Sequence, residues 1–323
     1  MEKFKSNPLV KTLGFNRIIL VGVLIALYLL FSLFSGRVLG SVDIMNVLNS
    51  VDFMGFLTIG VMFVIATGGI DFSIGPVMYC AALVAGQLLV VGGLPLGLCL
   101  LISILVGLTF GVMNGIMVAY MKLPSFISSM ASMRIAQGIG SLATKSAGVS
   151  WPSTGSANDW YRRLINYNGI PTGLIILLTV AIICSIILNR SRIGRYILCI
   201  GSNREAVRLS GVDTRKWEAL AYIICGTLAG IAAILYVGVN TKVTTAGGDA
   251  FNNNAIAACV MGGTSMAGGV ASVSGGLIGI LIIALLRVGI NAMKFSPDWQ
   301  YIITGIIVAL AVYADIRSSQ RRR

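Results

Sequence analysis

The chain has 323 residues, of which 56% are hydrophobic and only 11% are charged, and its mean hydropathy is +0.90. Soluble globular proteins carry about 25% charged residues, so this composition excludes an ordinary soluble fold and indicates a membrane protein. The chain contains no histidine, which excludes histidine-based acid–base chemistry, histidine ligation of metals and Ser-His-Asp arrangements.

Apolar runs recur along the chain between short stretches that contain charges, Gly or Pro. A helix needs about 20 apolar residues to cross a bilayer. The runs predict an all-α polytopic membrane protein with about ten transmembrane helices, at residues 17–35, 52–68, 73–91, 97–120, 124–144, 171–188, 217–238, 254–265, 272–291 and 299–315. The first run exceeds a signal-peptide core, so it predicts a retained span, with a cleaved signal as the alternative. The eighth is short, which is typical of a broken helix.

Lys and Arg are unevenly distributed among the loops that join these spans. With the N-terminus inside, sixteen fall on the cytoplasmic side, six fall outside, and Arg134 and Arg287 lie within spans. This bias satisfies the positive-inside rule and predicts that both termini are cytoplasmic. It also accounts for the net charge of +13 without any nucleic-acid partner.

Two loops of the expected single domain (1–323) are longer than the rest. The external loop, 145–170, contains Trp151, Trp160 and Tyr161, residue types that suit the membrane interface. The cytoplasmic loop, 189–216, is strongly charged.

Two rows of glycine predict close packing between helices. Gly107, Gly111 and Gly115 repeat at four-residue spacing in the fourth span, and Gly226 and Gly230 do so in the seventh. Small residues at this spacing let helix backbones approach closely in lipid. The six cysteines are scattered without CxxC spacing, so they predict buried small side chains and no metal site.

The stretch "GSNREAVRLSGVDTRKWEAL" (201–220) concentrates seven charged residues in twenty. Asn203 can cap a short helix that Gly211 would end. Two interpretations of such a helix are open. It is either a solvated connector that contacts anionic lipid, or a surface that docks into a soluble partner.

Five stretches resemble, in chain order, the ribose-type ABC transporter permease family. They are "ATGGIDFSIGPVM" (66–78), "PSFISSMASM" (124–133), "GRYILCIGSNREAVRLSGVDTRKWEALAYIICGTLAGIAA" (194–233), "NAIAACVMGGTSMAGGVASVSGGLIG" (254–279) and "WQYIITGIIVALAVYADI" (299–316). Each motif is weak alone, but together they cover nearly the whole chain and are highly specific.

The resemblance implies a type II-like ABC importer permease fold and the membrane subunit of a binding-protein-dependent monosaccharide importer. The implied partners are a second permease (homodimer or pair), ABC ATP-binding subunits, an extracytoplasmic solute-binding protein, a ribose-like sugar and the bacterial inner membrane. The segment after the sixth span would be the coupling helix that contacts the ATP-binding subunit: Asn203, Arg204, Glu205, Ala206, Arg208, Leu209 and Gly211.

The sequence contains no G-x-x-x-x-G-K-[ST] phosphate-binding loop. We therefore expect a transporter subunit that is not an enzyme and has no cofactor of its own, with ATP bound by the partner subunit.

Polar residues within the spans are candidates for the translocation path. Arg134, Gln137 and Ser141 share one face of the fifth span, and Arg287 and Asn291 share one face of the ninth. An Arg at the bilayer centre costs about 2.5–3.5 kcal/mol, so each needs partners or water. These faces either line the sugar's path or hold helices together. The residues predicted for the path are Asn114, Phe126, Ser129, Arg134, Gln137, Arg287 and Asn291.

Asp71 follows Gly68 and Gly69 at the turn into the third span. It is expected to cap that span, and a hinge contact is the alternative. No second intramembrane carboxylate is expected beside it, which disfavours a proton relay and an ion-coupled secondary transporter.

The acidic E-L-D stretch of the family is replaced here by Asn252, Asn253 and Asn254. This departure leaves the identity of the solute open. A nucleoside, a branched-chain amino acid or a signal-sugar derivative is the alternative within the same architecture.

Overall fold

The computed structural model describes residues 15–36, 38–156, 158–245, 247–296 and 298–320. Some of the basic residues used in the topology prediction lie outside the described residues: Lys3, Lys5, Lys11, Arg37, Arg321, Arg322 and Arg323.

Eleven α-helices form in the described residues. Their bounds are α1 Phe15–Phe34, α2 Ser41–Ala66, α3 Ile74–Val90, α4 Leu96–Gly115, α5 Ser125–Ala143, α6 Thr172–Arg190, α7 Arg192–Leu209, α8 Thr214–Val239, α9 Asp249–Met261, α10 Val273–Ala292 and α11 Asp298–Gln320. A π-helical turn, Ile116–Tyr120, extends α4, and a 3₁₀ helix covers Asp159–Leu164. Two short strands, β1 (Val149–Ser150) and β2 (Lys242–Val243), pair antiparallel with Val149 opposite Val243.

Six helical stretches in the described residues are long and apolar enough to cross a membrane: Arg17–Phe34, Ser41–Ala66, Leu96–Tyr120, Thr172–Arg190, Thr214–Val239 and Val273–Ala292. The chain is therefore an all-α polytopic membrane protein. α3 is apolar but shorter. The cytoplasmic loop predicted at 189–216 is itself largely helical, because α7 occupies most of it.

The second helix begins much earlier than the sequence predicted. α2 starts at Ser41 rather than at residue 52. Asp43 accepts a hydrogen bond from Gly40 N at 3.0 Å and so caps the first turn. The polar side chains of Asn46 and Asn49 occupy the added turns, and their polarity is the reason that the predicted start was wrong.

The ninth helix is short, in agreement with the expectation for that region. α9 has 13 residues, which is about 20 Å of helix. Its first turn meets the first turn of α3, where Asn252 Oδ1 accepts from Gly75 N at 2.7 Å and Asn252 Nδ2 donates to Phe72 O at 2.5 Å. The N-termini of the two shorter helices therefore converge inside the molecule.

The glycine rows meet across one interface, which we call the α4–α8 seam: Gly107 and Gly111 lie against the stretch of α8 that contains Gly226 and Gly230, and Gly115 lies against Ala219. A Cβ atom on Gly107 would lie 2.3 Å from Gly226 O. The same atom on Gly226 would lie 2.4 Å from Gly107 O. The helices thus touch backbone to backbone, and the predicted close packing is confirmed.

The loops gather at two ends of the bundle. At the α7 end, Arg17 Nη2 donates to Ser272 Oγ at 3.4 Å, and Gly269 N donates to Ala66 O at 3.0 Å. At the opposite end, the β1 end, Trp151 N donates to Thr241 O at 2.8 Å. The α7 end thus contains the start of α1, residues 67–69, α7 and residues 262–272, and the β1 end contains residues 144–171 and 240–244.

The aromatic residues of loop 145–170 do not all lie at a membrane interface. Trp151 is 2% exposed and its Nε1 donates to Ala82 O, while Tyr161 is fully buried and its hydroxyl donates to Pro152 O. Only Trp160 of the three is exposed. The interface prediction was wrong for Trp151 and Tyr161, because the loop folds back onto the helices.

Candidate functional site

The predicted coupling segment forms a capped helical turn at the α7 end. α7 is interrupted at Asn203, whose backbone is not helical (φ −159°, ψ 94°). Asn203 Oδ1 accepts a hydrogen bond from Ala206 N at 3.0 Å. The side chain of Asn203 therefore caps the helical turn that follows it. The helix ends at Leu209, shortly before Gly211, which has a positive φ of 80°. The predicted cap and stop of this helix are confirmed.

The charged residues of this segment are paired within the chain. Arg204 donates to both oxygens of Glu218, at 2.9 and 2.6 Å, and so ties the segment to the first turns of α8. Arg208 donates to both carboxylate oxygens of Glu205, from Nε to Oε2 at 3.0 Å and from Nη2 to Oε1 at 2.5 Å. The pKa of Glu205 lies below its usual value because its carboxylate accepts these hydrogen bonds from Arg208. Within the described chain these charges therefore pair with one another and hold the segment in place.

The outward surface of the segment is partly apolar. Ala206 is exposed, and Leu209 is 75% exposed. The segment thus presents a small apolar surface between the fixed charges.

Glycines join the segment to α2 and to loop 262–272. A Cβ atom on Gly201 would lie 2.0 Å from Ala66 O and 2.4 Å from Gly269 N. Gly68, one of the predicted hinge glycines, has a positive φ of 86°, and a Cβ there would lie 3.6 Å from Ala267 O. The backbones of these chain segments touch here without intervening side chains.

Asp71 lies in a buried polar cluster. Its Oδ1 accepts from Ser73 N at 2.8 Å and from Ser73 Oγ at 2.6 Å. Asn114 Nδ2 donates to Ser73 Oγ at 2.9 Å, and Ser132 Oγ donates to Asn114 Oδ1. Ser73, not Asp71, occupies the N-cap position of α3, which corrects the expected cap. The cluster joins the segment after Gly69 to α4 and α5.

Two residues predicted for the path are enclosed by protein. Asn114 is 2% exposed inside the Asp71 cluster. Ser129 is fully buried, and its hydroxyl donates to Phe126 O at 3.1 Å. Neither side chain faces an open surface in this conformation.

Three other path residues share an exposed face of α5. Phe126 is 50% exposed and meets Phe72 edge to face at 5.7 Å. Farther along the same face, Arg134 Nη1 donates to Gln137 Oε1 at 3.0 Å. Gln137 Nε2 in turn donates to Asp249 Oδ1, the first residue of α9, at 2.9 Å. The structure therefore adds Asp249 to this face.

Arg287 and Asn291 lie elsewhere. They line a cavity of about 370 Å³ between the start of α2 and the end of α10 at the β1 end, together with Asp43, Asn46, Asn49, Ser50, Phe53, Val239, Asn240, Val288 and Ala292. Neither Arg134 nor Gln137 lines this cavity. The two polar faces predicted from the sequence are thus separate regions of the described structure.

The sequence interpretation missed a buried carboxylate. Asp52 on α2 is fully buried, and neither of its oxygens has a hydrogen-bond partner among the described residues. It lies against Gly173, where a Cβ atom would be 2.3 Å from Asp52 Oδ2. Asp52 is a second carboxylate on a long apolar helix, but it does not accompany Asp71, since the two share no partner. In the described part of the chain, no three His, Cys, Asp or Glu residues are grouped to hold a metal ion.

Comparison with known proteins identifies similar permeases. The sequence profile of the family described as "Branched-chain amino acid transport system / permease component" matches residues 43–312. The chain is 30% identical to the xylose transport system permease protein XylH of Escherichia coli, over 96% of this chain and 94% of that protein. It is 31% identical to the ribose import permease protein RbsC of Escherichia coli, over 84% of this chain and 85% of that protein.

A relative from a second organism has a similar identity. The ribose import permease protein RbsC of Bacillus subtilis is 32% identical, over 92% of this chain and 91% of its own length. No solved structure matches the chain.

Proposed function

Because the chain belongs to the family of membrane proteins described as branched-chain amino acid transport system / permease component, we propose that it forms the translocation path of an ABC importer for a monosaccharide. The relatives named for xylose and ribose support a pentose or a closely related sugar. The observation that supports the proposal is the capped, exposed segment 203–211, which is attached to the ends of membrane helices.

The segment would transmit force from an ATP-binding subunit. Arg204 links it to Glu218 on α8, and Gly201 lies against the end of α2. When the ATP-binding subunits close on ATP, movement of the segment would therefore pull on α8 and α2 together. α4 would follow α8 through the α4–α8 seam, which tilts the bundle between outward-open and inward-open states.

The proposed topology has about ten helices across the membrane and both termini in the cytoplasm. Residues assigned to one side lie together: Lys122, Arg204 and Arg208 line one cavity of about 620 Å³ at the α7 end. On the other side, Arg162 Nη1 donates to Thr241 Oγ1 at 3.4 Å, next to Lys242. The basic α7 end would then face the cytoplasm of a bacterial inner membrane.

The proposed assembly contains two permeases, two ATP-binding subunits and an external solute-binding protein. This chain would contribute no ATPase site, since it lacks a phosphate-binding loop. ATP would bind the partner subunits.

The test is reconstitution into proteoliposomes. The chain with its ATP-binding subunit and binding protein should take up xylose or ribose when ATP is enclosed, and leucine should not accumulate. The chain alone should neither hydrolyse ATP nor concentrate sugar under an ion gradient. Ion-driven sugar uptake by the chain alone would contradict the proposal and establish a secondary transporter instead.

A further inference from the structure

Three polar side chains form a hydrogen-bonded series on the open face of α5 and α9. Gln137 stands between Arg134 and Asp249 and bonds to both. Arg134 and Asp249 are exposed. In the described residues α5 packs mainly on α3, whereas α9 packs on α10, α2 and α11. The series therefore bridges two helices that are not packing neighbours.

The series lies near the middle of the bundle's long axis. α5 runs from Ser125 to Ala143, and Arg134 is at its centre, about 13 Å from either end. Ser125 belongs to the α7 end, since its hydroxyl accepts from Ile70 N at 3.2 Å. Ala143 leads into the loop of the β1 end. A charged pair exposed to lipid at this depth is strongly disfavoured, so this face requires water or a polar ligand.

The series has unused hydrogen-bonding capacity. In the described structure Asp249 Oδ2 accepts no hydrogen bond, and only one N–H group of Arg134 donates. A carboxylate only accepts hydrogen bonds and a guanidinium only donates them. Hydroxyl groups on adjacent carbon atoms both donate and accept, so the two ends of the series can satisfy them together.

The neighbouring asparagines cannot replace Asp249. Asn252 is buried, and its amide bonds to the backbone of Phe72 and Gly75. Asn254 is also buried. Only Asn253 shares the exposed side of α9 with Asp249 among these asparagines, four residues farther along and so on the same face.

We propose that Arg134, Gln137 and Asp249 form a binding site for adjacent hydroxyl groups of the solute, and that Asp249 determines which solutes pass. This inference rests on the proposed function, because it assigns a sugar to the path. Asp249 accepts from two hydroxyl groups, Arg134 donates to their oxygens, and Gln137 exchanges its internal hydrogen bonds for bonds to the solute as it passes.

The site can be tested without the solute-binding protein. The complex of permease and ATP-binding subunit is prepared with Asn253→Cys, next to Asp249, in a Cys199→Ser background. Cys199 is the exposed native cysteine of the described residues. A hydrophilic maleimide should label residue 253, and xylose or ribose should slow the labelling, whereas leucine should not. Absence of labelling would show that water does not reach this face and would overturn the inference.

Variants of Asp249 then distinguish a role in binding the solute from a role that only connects α5 to α9. Asp249→Asn keeps an oxygen that accepts from Gln137 but removes the charge, and Asp249→Ala removes both. Both variants should raise the protecting sugar concentration at least tenfold, because each loses one or both hydrogen bonds between the solute and a charged group. Asp298→Asn, which removes an exposed carboxylate from the first residue of α11, should leave protection unchanged.

The outcomes distinguish this inference from the proposed function. Unchanged protection in both Asp249 variants, or loss of protection in Asp249→Ala alone, would make Asp249 a bridge between helices and overturn the inference. Sugar uptake by the unmodified reconstituted system is measured in parallel. Its failure would refute the proposed function, whereas normal uptake with unaltered protection refutes only the role of Asp249.

Discussion

The α4–α8 seam and the exposed face of α5 differ in how closely another helix approaches them. At the seam, glycines on both helices leave room for the backbones to touch. α5 also carries a glycine on its open side, Gly138, but a Cβ atom there would meet nothing within 4 Å. The contrast teaches that a single glycine on a helix does not by itself indicate a contact, whereas glycines that repeat along the facing sides of two helices do. On α5 the charged residues, and not the glycine, indicate what this face contacts.

The two regions also differ in how they can move. The seam binds α4 and α8 into one unit, because sliding would drive backbone atoms into each other. The face of α5 and α9 is joined through the exposed hydrogen bond of Gln137, which can exchange partners. On the proposed function, a rigid unit coupled to α7 beside a face that can open would suit alternating access.

The largest effect is expected from breaking the seam. Gly107→Leu places a side chain where even Cβ would be 2.3 Å from Gly226 O. Because backbone atoms cannot move aside as a flexible side chain does, we expect the free energy of unfolding to fall by more than about 3 kcal/mol. Little folded protein should then be obtained. The measurement is the yield of monodisperse protein in detergent and its thermal unfolding.

Gly97→Leu is the matched control in the same helix. A Cβ at Gly97 meets nothing within 4 Å, so this variant should fold normally. Equal behaviour of the two variants would show that α4 and α8 are not in backbone contact.

The second prediction concerns segment 203–211, whose movement the seam would pass from α8 to α4. Ala206→Glu adds bulk and a carboxylate to the exposed surface of segment 203–211. If a partner covers this surface, the buried unpaired charge should weaken binding of the ATP-binding subunit by about tenfold or more. Co-purification of that subunit and sugar-stimulated ATP hydrolysis measure the effect.

Arg215→Ala, which removes a charge outside the segment, should have the smaller effect. Normal ATPase binding by Ala206→Glu, with reduced binding to anionic vesicles when Arg204 and Arg208 are replaced, would make the segment a lipid contact.

The third prediction concerns the contact between the starts of α3 and α9, which lies apart from the seam. Asn252→Ala leaves Gly75 N and Phe72 O without their side-chain partner. Each buried backbone group left unpaired costs about 1–3 kcal/mol. We expect a lower unfolding temperature and slower uptake, because the starts of α3 and α9 lose their connection.

Asn253→Ala is the control for that change. Asn253 is exposed beside Asn252, and its removal should leave the unfolding temperature unchanged. Equal destabilisation by both variants would show that the amide of Asn252 does not hold the two helices together.

Local patterns in the sequence predicted the seam and the capped segment. The four-residue glycine spacing and the Asn203 to Gly211 signals are each contained in one stretch of chain, so the backbone geometry follows from them. The burial of Trp151 could not be predicted, because it depends on a hydrogen bond to Ala82, 69 residues away. Asp249 was missed for the same reason. Its partner Gln137 is 112 residues distant, and no local pattern relates the two.

The smallest effect is expected from Gly138→Ala, the same kind of change as at the seam but on the open face. The new methyl group meets no atom within 4 Å, and alanine favours helix over glycine by up to about 1 kcal/mol. If this side of α5 faces water, the variant should unfold at the same or a slightly higher temperature and should transport sugar normally. If a second copy of the chain packs tightly here instead, the methyl group should weaken association of the two permeases, which crosslinking in proteoliposomes would detect. Reduced crosslinking with unchanged stability of the single chain would assign this side of α5 to a permease–permease contact, and the translocation path would then have to lie along the cavity lined by Arg287 and Asn291.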